Sequence, residues 1–322
     1  MLSSPSICVA GSINMDLVFR TPRMPGVGET VSGHEFIQIA GGKGANQAVA
    51  ASRQGANVSF IGCVGDDANG RKSLEGLTMD GIDCAAVSTI PHCATGVAGI
   101  FVDDLGRNSI VIAPGANARL STAHIDAAQE TIRKAQLLIC QCEIPLSTIE
   151  AAITIAHKHG VKVVFNPAPA MALPDHLFHQ VSYLILNETE ATQISGVSVT
   201  DIDSAMAAAR QLIGRGVGCV LLTMGEQGVC VAQQGQFQHQ FQHLPGIPVD
   251  VVDTTAAGDT FVGAFATAIG SGMHAIDAAT HAQYCAALAV TQLGAQSSIP
   301  HQHEVNQFKA HRTTTKENHG QT

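Results

Sequence analysis

Residues 137–223 alternate between short apolar runs and longer segments with helical periodicity, and this alternation restricts the fold more than any other feature. The runs LLICQ, VKVVF, YLILN and CVLLT are continuously apolar, whereas LSTIEAAITIAHKHG and SAMAAARQLIGRG are helical in pattern and end in glycine. Strands that are apolar on both faces are typical of a parallel sheet covered by helices on each side. The sequence therefore predicts a three-layer α/β/α domain around a mostly parallel central sheet.

Two regions break this alternation, residues 17–40 and residues 95–115. Both have the pattern of strand pairs joined by Gly or Asp turns, and DDLGRN is a strong hairpin signal. Because such pairs do not fit easily into a parallel sheet, we predict a small β-sheet lid over the strand ends, with strands within about 14–40 and 95–113. The lid and the central sheet form one predicted domain, residues 1–312. The polar, aperiodic segment 313–322 is predicted to be disordered.

Composition narrows the class of ligand. The chain has 322 residues, 45% of them hydrophobic, which is enough to bury a sizeable core. Its formal net charge of −9 and its lack of tryptophan and of a Lys/Arg cluster argue against nucleic-acid binding and favour a small-molecule ligand. No run of 18 apolar residues occurs, and the first residues lack the pattern of a signal peptide. We expect a cytoplasmic protein that does not associate with membranes.

The stretch VVDTTAAGDTFVGAF places a carboxylate on a turn of small residues at the start of an apolar helix. With the helix beginning near Gly258, its free backbone N–H groups and its dipole favour an anion. Asp259 could act as a simple helix cap. It could also accept a proton from a hydroxyl while the N–H groups hold the negative charge under attack, as phosphoryl transfer requires. These residues alone leave both interpretations open.

The glycine-rich stretch GGKGANQAVAA, residues 41–51, is a second candidate. It is not a Walker A loop, because the order Gly-Lys-Ser/Thr is absent. Its glycines let the backbone approach a ligand closely, and Lys43 and Asn46 are donors suited to hydroxyl oxygens. A plain glycine-rich turn that begins a helix is the alternative. No G-x-G-x-x-G motif in the context of a dinucleotide fold is present, which argues against a dehydrogenase.

Polar residues also follow several predicted strands. Carboxylates at such positions are costly to bury without a partner, so a ligand or a hydrated metal ion is expected beside them. Ligand sites of parallel sheets lie at the carboxyl ends of the strands, and we therefore expect these residues to line one site. The candidates at these strand ends are Asn14, Asp16, Glu143, Asn187, Glu190, Thr223, Gly225 and Gly228.

Eight motifs occur in order along the chain: GSINMD, GGKGANQA, TGVA, PGAN, NPAPA, NETE, DTTAAGDTF and GAQSSIP. Together they resemble the ribokinase family of carbohydrate kinases over nearly the whole chain. The resemblance implies ATP-dependent phosphorylation of D-ribose at O5, giving D-ribose 5-phosphate and ADP. A kinase of the same fold that acts on deoxyribose, fructose or adenosine is an alternative, as is a non-catalytic sugar-binding module, although the intact AAGD argues against the module.

The resemblance also implies residue roles. Asp259 would be the general base, and an anion hole would be formed by Ala256, Ala257 and Gly258. The implied sugar contacts are Asn14, Asp16, Gly42, Lys43, Asn46, Glu143 and Asp259. The implied ATP contacts are Asn187, Glu190, Thr223, Gly225, Gly228, Gly258 and Gln283. Asn187 and Glu190 would also act on Mg²⁺ through water.

A monovalent cation, K⁺, is implied as an activator that orders the anion-hole loop, held mostly by backbone carbonyl groups. The implied K⁺ positions are Asp253, Thr255, Ala289, Gln292, Gly294 and Ser298. The lid strands would have exposed edges in a monomer, and the resemblance implies a homodimer that pairs them across a two-fold axis.

Overall fold

The structure is a computed structural model that describes residues 4–235 and 240–319, with side chains described as far as residue 312. The strands are β1 (Ser6–Ala10), β2 (Asn14–Thr21), β3 (Glu35–Gly41), β4 (Asn57–Gly65), β5 (Asp83–Ile90), β6 (Gly96–Asp103), β7 (Asn108–Ala113), β8 (Leu137–Gln141), β9 (Lys162–Asn166), β10 (Tyr183–Asn187), β11 (Cys219–Thr223), β12 (Val229–Gln233) and β13 (Gln240–Leu244). The α-helices are α1 (Lys43–Arg53), α2 (Ala68–Met79), α3 (Thr122–Ala127), α4 (Gln129–Lys134), α5 (Leu146–Lys158), α6 (Asp175–Phe178), α7 (Glu188–Ser195), α8 (Ile202–Gly214), α9 (Ala257–Gly270), α10 (Ala275–Ala289) and α11 (Gln302–His319).

The central sheet has nine strands in the order β13-β12-β11-β10-β9-β8-β1-β4-β5. All neighbouring strands from β11 to β5 are parallel, and only β12 and β13 add antiparallel pairs at one edge. Consecutive strand residues enter different cores: Leu138 packs in the core with α5 and α8, and Ile139 packs in the core with α1, α9 and α10. The predicted three-layer α/β/α fold with a mostly parallel sheet is confirmed.

A separate four-stranded sheet, in the order β3-β2-β6-β7, forms the predicted lid. β2 pairs antiparallel with β3, and β6 pairs antiparallel with β7, as the two strand-pair patterns predict. The two pairs are joined by parallel pairing of β2 with β6 from Asn14 to Thr21. Phe19 contacts both Phe36 and Phe101 on one face of this sheet, and Asp16 lies on the other face.

Helix α1 lies unusually close to two neighbouring elements because glycines remove side chains from both contacts. A Cβ atom on Gly44 would lie 2.5 Å from the backbone nitrogen of Ser12, directly after β1. A Cβ atom on Gly263, in α9, would lie 2.5 Å from the carbonyl oxygen of Gln47 in α1. This close approach brings the first turn of α1 beside the first turn of α9, at the carboxyl ends of the parallel strands.

The chain end differs from the sequence-based expectation. In place of disorder from residue 313, the backbone of residues 313–319 continues helix α11. The carboxylate of Glu304 caps this helix by accepting the N–H of His301, and extending a helix that has already formed is easier than starting one. Residues 320–322, the remainder of that predicted segment, lie outside the described residues. None of the described helices is both long enough and apolar enough to span a membrane.

Candidate active site

The amino-terminal end of α9 has the backbone geometry of an anion site. Ala256 precedes the helix in a left-handed conformation, with φ of 58°. The N–H of Ala257 donates to the carbonyl oxygen of Thr254 at 3.3 Å. The N–H groups of Gly258 and Asp259 lie in the first turn, where no acceptor within the helix can reach them. Together with the helix dipole, these groups favour a negative charge in front of the helix.

Asp259 does not cap α9, because the capping position is Ala256. Its side chain is 7% exposed, and it accepts two hydrogen bonds from α1. Asn46 Nδ2 donates to Oδ2 at 3.0 Å, and Gln47 Nε2 donates to Oδ1 at 2.9 Å. The carboxylate is therefore held between two helices at the anion site, which is the arrangement that a general base requires.

The hydrogen bonds of Gln47 continue away from Asp259. Gln47 Nε2 also donates to Asn166 Oδ1 at 3.0 Å, and Gln47 Oε1 accepts from Gln141 Nε2 at 2.7 Å. Asn166 Nδ2 donates to the carbonyl oxygen of Ile185 at 2.9 Å. The sequence analysis missed Gln47 and Gln141, although Gln47 lies in the GGKGANQA motif directly after Asn46 and Gln141 ends the predicted strand LLICQ.

A cavity of about 200 Å³ lies in front of α9 and brings together residues from four of the eight motifs, together with Thr223 at the end of β11. The polar and small residues that line it are Lys43, Asn166, Ala168, Asn187, Glu190, Thr223, Thr254, Ala256, Ala257, Gly258 and Asp259. The predicted base, the predicted anion hole and part of the predicted nucleotide contacts therefore share one space.

A second cavity, of about 360 Å³, lies beneath the lid and is lined by Asn14, Asn117 and Glu143 among mostly apolar residues. Asn117 Nδ2 donates to Asn14 Oδ1 at 2.7 Å, so the amide of Asn14 is fixed. Glu143 accepts from Ser12 Oγ at 2.6 Å and from the N–H of Lys43 at 3.1 Å, which ties the start of α1 to the end of β8. Ser12 and Asn117 were not predicted, although Ser12 belongs to the GSINMD motif and Asn117 to the PGAN motif.

Gly42 precedes α1 with φ of 90°, which L side chains rarely adopt. A Cβ atom there would lie 2.7 Å from the backbone nitrogen of Asn14. The glycine therefore brings the loop before Lys43 against the start of the lid.

Acidic side chains surround one ammonium group in this region. Burial, followed by the charges of Glu143 and Asp259, raises the pKa of Asp16 to about 7, and Lys43 opposes this rise. The charge of Asp259 raises the pKa of Lys43 against the effect of burial. Burial also raises the pKa of Glu190. In the free protein, Lys43 is the cation that offsets these carboxylates.

Apart from Gly258, the predicted nucleotide residues lie in three places. Asn187 and Glu190 form a capping box at the start of α7: Asn187 Oδ1 accepts the N–H of Glu190 at 2.8 Å, and Glu190 Oε2 accepts the N–H of Asn187 at 3.0 Å. Both line the 200 Å³ cavity together with Thr223, whose hydroxyl donates to a backbone carbonyl of β10. These three residues lie together as predicted.

Gly225, with φ of 52°, begins the short 3₁₀ turn Gly225–Gln227 that follows β11, and Gly228, with φ of 100°, follows this turn. Gln283 lies apart from this group, in α10. Its Nε2 donates to the carbonyl oxygens of Leu244 at 3.4 Å and Pro245 at 3.2 Å. The structure thus shows Gln283 holding the segment after β13, which the sequence did not predict.

The residues predicted for K⁺ lie in the loop before α9, at the end of α10 and in the loop after α10, and Asp253 joins the two loops. Its Oδ1 accepts from the N–H of Thr255 at 2.9 Å and from its hydroxyl at 2.6 Å, and its Oδ2 accepts from the N–H of Gly294 at 2.9 Å. Burial acts to raise the pKa of Asp253, but these hydrogen bonds outweigh burial and hold it below its usual value. The carboxylate therefore stays ionised between the two loops.

Of the other predicted K⁺ positions, Ala289 is the last residue of α10, and Gln292 and Ser298 lie in the loop that follows. Ala289 accepts the N–H of Gln292 at 3.1 Å through its carbonyl group, and the Ser298 hydroxyl donates to the carbonyl oxygen of Ala295 at 2.9 Å. Within residues 4–235 and 240–312, whose side chains the structure describes, no group of three or more His, Cys, Asp or Glu side chains is arranged to hold a metal ion.

A buried carboxylate at the start of an anion-binding helix, below a β lid and at the carboxyl ends of a parallel sheet, defines a phosphotransferase that acts on an alcohol group. Comparison with known proteins agrees. A model of the pfkB family of carbohydrate kinases matches residues 4–302. The chain belongs to this family.

Individual relatives give the same picture. The chain is 42% identical to the ribokinase of Haemophilus influenzae, over 95% of this chain and 99% of that protein. It is 38% identical to the deoxyribokinase of Salmonella typhimurium, over 94% of this chain and 98% of that protein. Among solved structures, the Arabidopsis thaliana ribokinase complexed with ribose and ATP superposes with a TM-score of 0.87 at 32% identity, covering 95% of this chain and 98% of that one.

Proposed function

We propose that the protein transfers the γ-phosphate of ATP to the O5 hydroxyl of D-ribose, giving D-ribose 5-phosphate and ADP. The observation that carries this proposal is the position of Asp259, which two α1 amides hold at the start of α9 beside the cavity that Asn187, Glu190 and Thr223 also line. Ribokinases that share 42% identity with the chain, and a ribokinase bound to ribose and ATP with the same fold, support ribose as the acceptor.

In this proposal the sugar lies between the lid and the first turn of α1. Asn14 and Asp16 leave β2 on one face and supply acceptors for sugar hydroxyl groups. Asn46 Oδ1 is buried without a hydrogen-bond partner among the described residues, and a sugar hydroxyl would satisfy it. The further proposed sugar contacts are Gly42, Lys43 and Glu143.

The chemistry follows from the same positions. Asp259 accepts the proton of the O5 hydroxyl as O5 forms a bond to the γ-phosphorus and the bond from that phosphorus to the bridging oxygen of ADP breaks. The backbone at Ala256, Ala257 and Gly258 faces the transferring phosphoryl group, whose negative charge the α9 dipole stabilises. Thr223, Gly225 and Gly228 would contact the nucleotide. Gln283 would support this region by holding the segment after β13.

Two cations complete the proposal. Asn187 and Glu190 fit a water-mediated Mg²⁺ site, because Glu190 uses Oε2 in the capping box and its other carboxylate oxygen is not needed there. Mg²⁺ would neutralise phosphate charge. The K⁺ site fits the loops that Asp253 joins, since backbone carbonyls and a carboxylate are oxygen ligands. The proposed K⁺ positions are Asp253, Thr255, Ala289, Gln292, Gly294 and Ser298.

We further propose a single kinase domain, residues 1–312, that forms a homodimer through its lids. The lid has exposed apolar side chains, with Phe36 52% exposed and Val111 70% exposed, and a second copy would cover them. A cytoplasmic location is supported by the nine cysteines, all of which are free thiols, as expected in a reducing compartment.

An ADP-release assay with ATP, Mg²⁺ and K⁺ tests the function. D-ribose, 2-deoxy-D-ribose, fructose and adenosine are compared as acceptors, and we expect the highest kcat/KM for D-ribose. One relative at 38% identity is a deoxyribokinase. A higher kcat/KM for 2-deoxy-D-ribose than for D-ribose would therefore contradict ribose as the substrate but leave the kinase chemistry intact. Turnover of none of the four would contradict the kinase proposal and favour a sugar-binding module.

A further inference from the structure

Gln47 is a fully buried amide that the proposed mechanism does not use. Its side chain makes three hydrogen bonds: Nε2 donates to Asp259 Oδ1 and to Asn166 Oδ1, and Oε1 accepts from Gln141 Nε2. Gln47 and Gln141 have no solvent-exposed surface. Gln47 is absent from the linings of both cavities described above, so it contacts Asp259 but does not face either space.

The direction of this hydrogen-bond chain is fixed by a backbone group. The carbonyl oxygen of Ile185 can only accept, so Asn166 must point Nδ2 toward it and Oδ1 toward Gln47. Asp259, when ionised, also can only accept. Two acceptors therefore face Gln47 Nε2, and a flipped Gln47 would place its oxygen against both of them. Gln141 completes the chain by donating to Gln47 Oε1.

The consequence concerns the orientation of the carboxylate. Asn46 and Gln47, consecutive residues of α1, each donate to a different oxygen of Asp259, and two such contacts fix the plane of the carboxylate. Asn46 has a proposed sugar contact, so its bond to Asp259 can change when substrate binds. Gln47 is held by its hydrogen bonds with Asn166 and Gln141, so its bond to Asp259 cannot change in this way.

We infer that Gln47 is a positioning residue that holds the carboxylate of Asp259 with its free lone pair directed at the acceptor hydroxyl, and that Gln141 keeps Gln47 in the donating orientation. The inference rests on the proposed role of Asp259 as general base. A general base must lie within hydrogen-bond reach of its proton, and displacement of a reacting group by about 1 Å can lower the rate by about 100-fold.

Gln47→Met tests the inference, because methionine keeps the length of the side chain and removes the donor. We expect kcat for ribose to fall by roughly 10- to 100-fold while KM for ribose changes by less than about twofold. The acid limb of the kcat against pH profile should move to higher pH, because the carboxylate loses a donor that favours its ionised form. A purely structural role for Gln47 would leave this profile in place.

Gln54→Met is the matched control. Gln54 follows α1 directly, is also buried, and donates through Nε2 to the carbonyl oxygen of Pro300 at 2.9 Å. Removal of its amide should lower the melting temperature as Gln47→Met does, without a change in kcat or in the pH profile. Equal losses of stability in the two variants, with kcat and the pH profile of Gln47→Met unchanged, would overturn the inference.

Gln141→Met tests the second half of the inference and serves if Gln47→Met does not fold. The side chain of Gln141 contacts no proposed catalytic group. We expect Gln141→Met to lower kcat less than Gln47→Met does and to leave KM for ribose unchanged. Where all variants fold, the Gln47→Met/Gln141→Met double variant should be no slower than Gln47→Met alone, because both changes act through one contact. Additive losses, or full activity of Gln141→Met, would refute the role of Gln141. Absence of turnover by the unmodified chain would overturn the proposed function and this inference together, whereas an active chain with a fully active Gln47→Met would overturn the inference alone.

Discussion

Replacement of Asp16 by asparagine should make the sugar-free protein more stable and a worse enzyme. Burial and the neighbouring carboxylates of Glu143 and Asp259 raise the pKa of Asp16 from 3.8 to about 7, so the free protein resists its ionisation. The unfolded chain has no such effect and ionises near the ordinary value. Between these two pH values the folded state holds a proton that the unfolded chain has released. The free energy of unfolding therefore falls as pH rises through this range, and the loss is complete above it.

The size of the effect follows from the shift. A rise of the pKa from 3.8 to about 7 corresponds to a loss of about 4 kcal/mol in the free energy of unfolding above pH 7. Asparagine has nearly the same shape and no charge, but Asp16 is partly exposed and its loss also removes an attraction to Lys43. We therefore expect Asp16→Asn to raise the free energy of unfolding by roughly 2 to 4 kcal/mol near pH 8 and by almost nothing near pH 4.

Denaturant unfolding of the sugar-free protein at the two pH values measures this difference. Asp126→Asn, a change at an exposed position of α3, is the control. Its effect on the free energy of unfolding, relative to the unmodified protein, should be nearly the same at the two pH values. In the enzyme assay, Asp16→Asn should lower kcat/KM for ribose by roughly 10- to 100-fold, since a hydrogen bond to a charged group contributes about 1.5 to 3 kcal/mol. If Asp16→Asn is no more stable than the unmodified protein near pH 8, then the ionised carboxylate of Asp16 does not destabilise the sugar-free protein, and the reasoning fails.

Two further predictions concern Asp259 and the loops joined by Asp253. Asp259→Asn should lower kcat by about 100- to 10,000-fold, the range for a lost general base, with little change in ribose affinity measured by titration; near-normal turnover would contradict its proposed role. Exchange of K⁺ for Na⁺ or a large organic cation at constant Mg²⁺ should lower activity, and Asp253→Ala should reduce the difference between the salts because it releases the contact with Gly294. Equal rates of the unmodified protein in all salts would exclude the K⁺ site.

The sequence predicts the layers of the fold because each layer leaves a local pattern. Leu138 and Ile139 are adjacent apolar residues that enter different cores, and only a strand covered on both sides accommodates that pattern. The two hairpins of the lid are likewise signalled by their turns. The parallel pairing of β2 with β6, from Asn14↔Gly96 onward, has no such signal, because it joins segments of distant hairpins.

The site was predictable to the extent that its residues occur in compact motifs at strand ends. Its hydrogen bonds were not, since Gln47 and Asp259 are 212 residues apart in sequence and meet only because Gly263 lets α1 approach α9. The orientation of Gln47 depends in turn on a backbone carbonyl of β10. Gln283 shows the opposite case: a polar residue in a plausible position for the nucleotide binds the backbone after β13 in this structure.

The charge of the site explains why cations belong to the proposed mechanism. Asp16, Glu143, Glu190 and Asp259 act electrostatically on Lys43, whose pKa rises in response, so its charge is already shared among them before a nucleotide arrives. ATP adds further negative charge to this acidic region. Lys43 cannot neutralise both these carboxylates and the phosphates of ATP, and the helix dipole contributes only about half a positive charge at the start of α9. Mg²⁺ beside Glu190 would supply the missing positive charge, and the K⁺ loops would hold the start of α9 in place. In the proposed mechanism, a need for cations therefore follows from using several carboxylates to bind a sugar and to remove its proton.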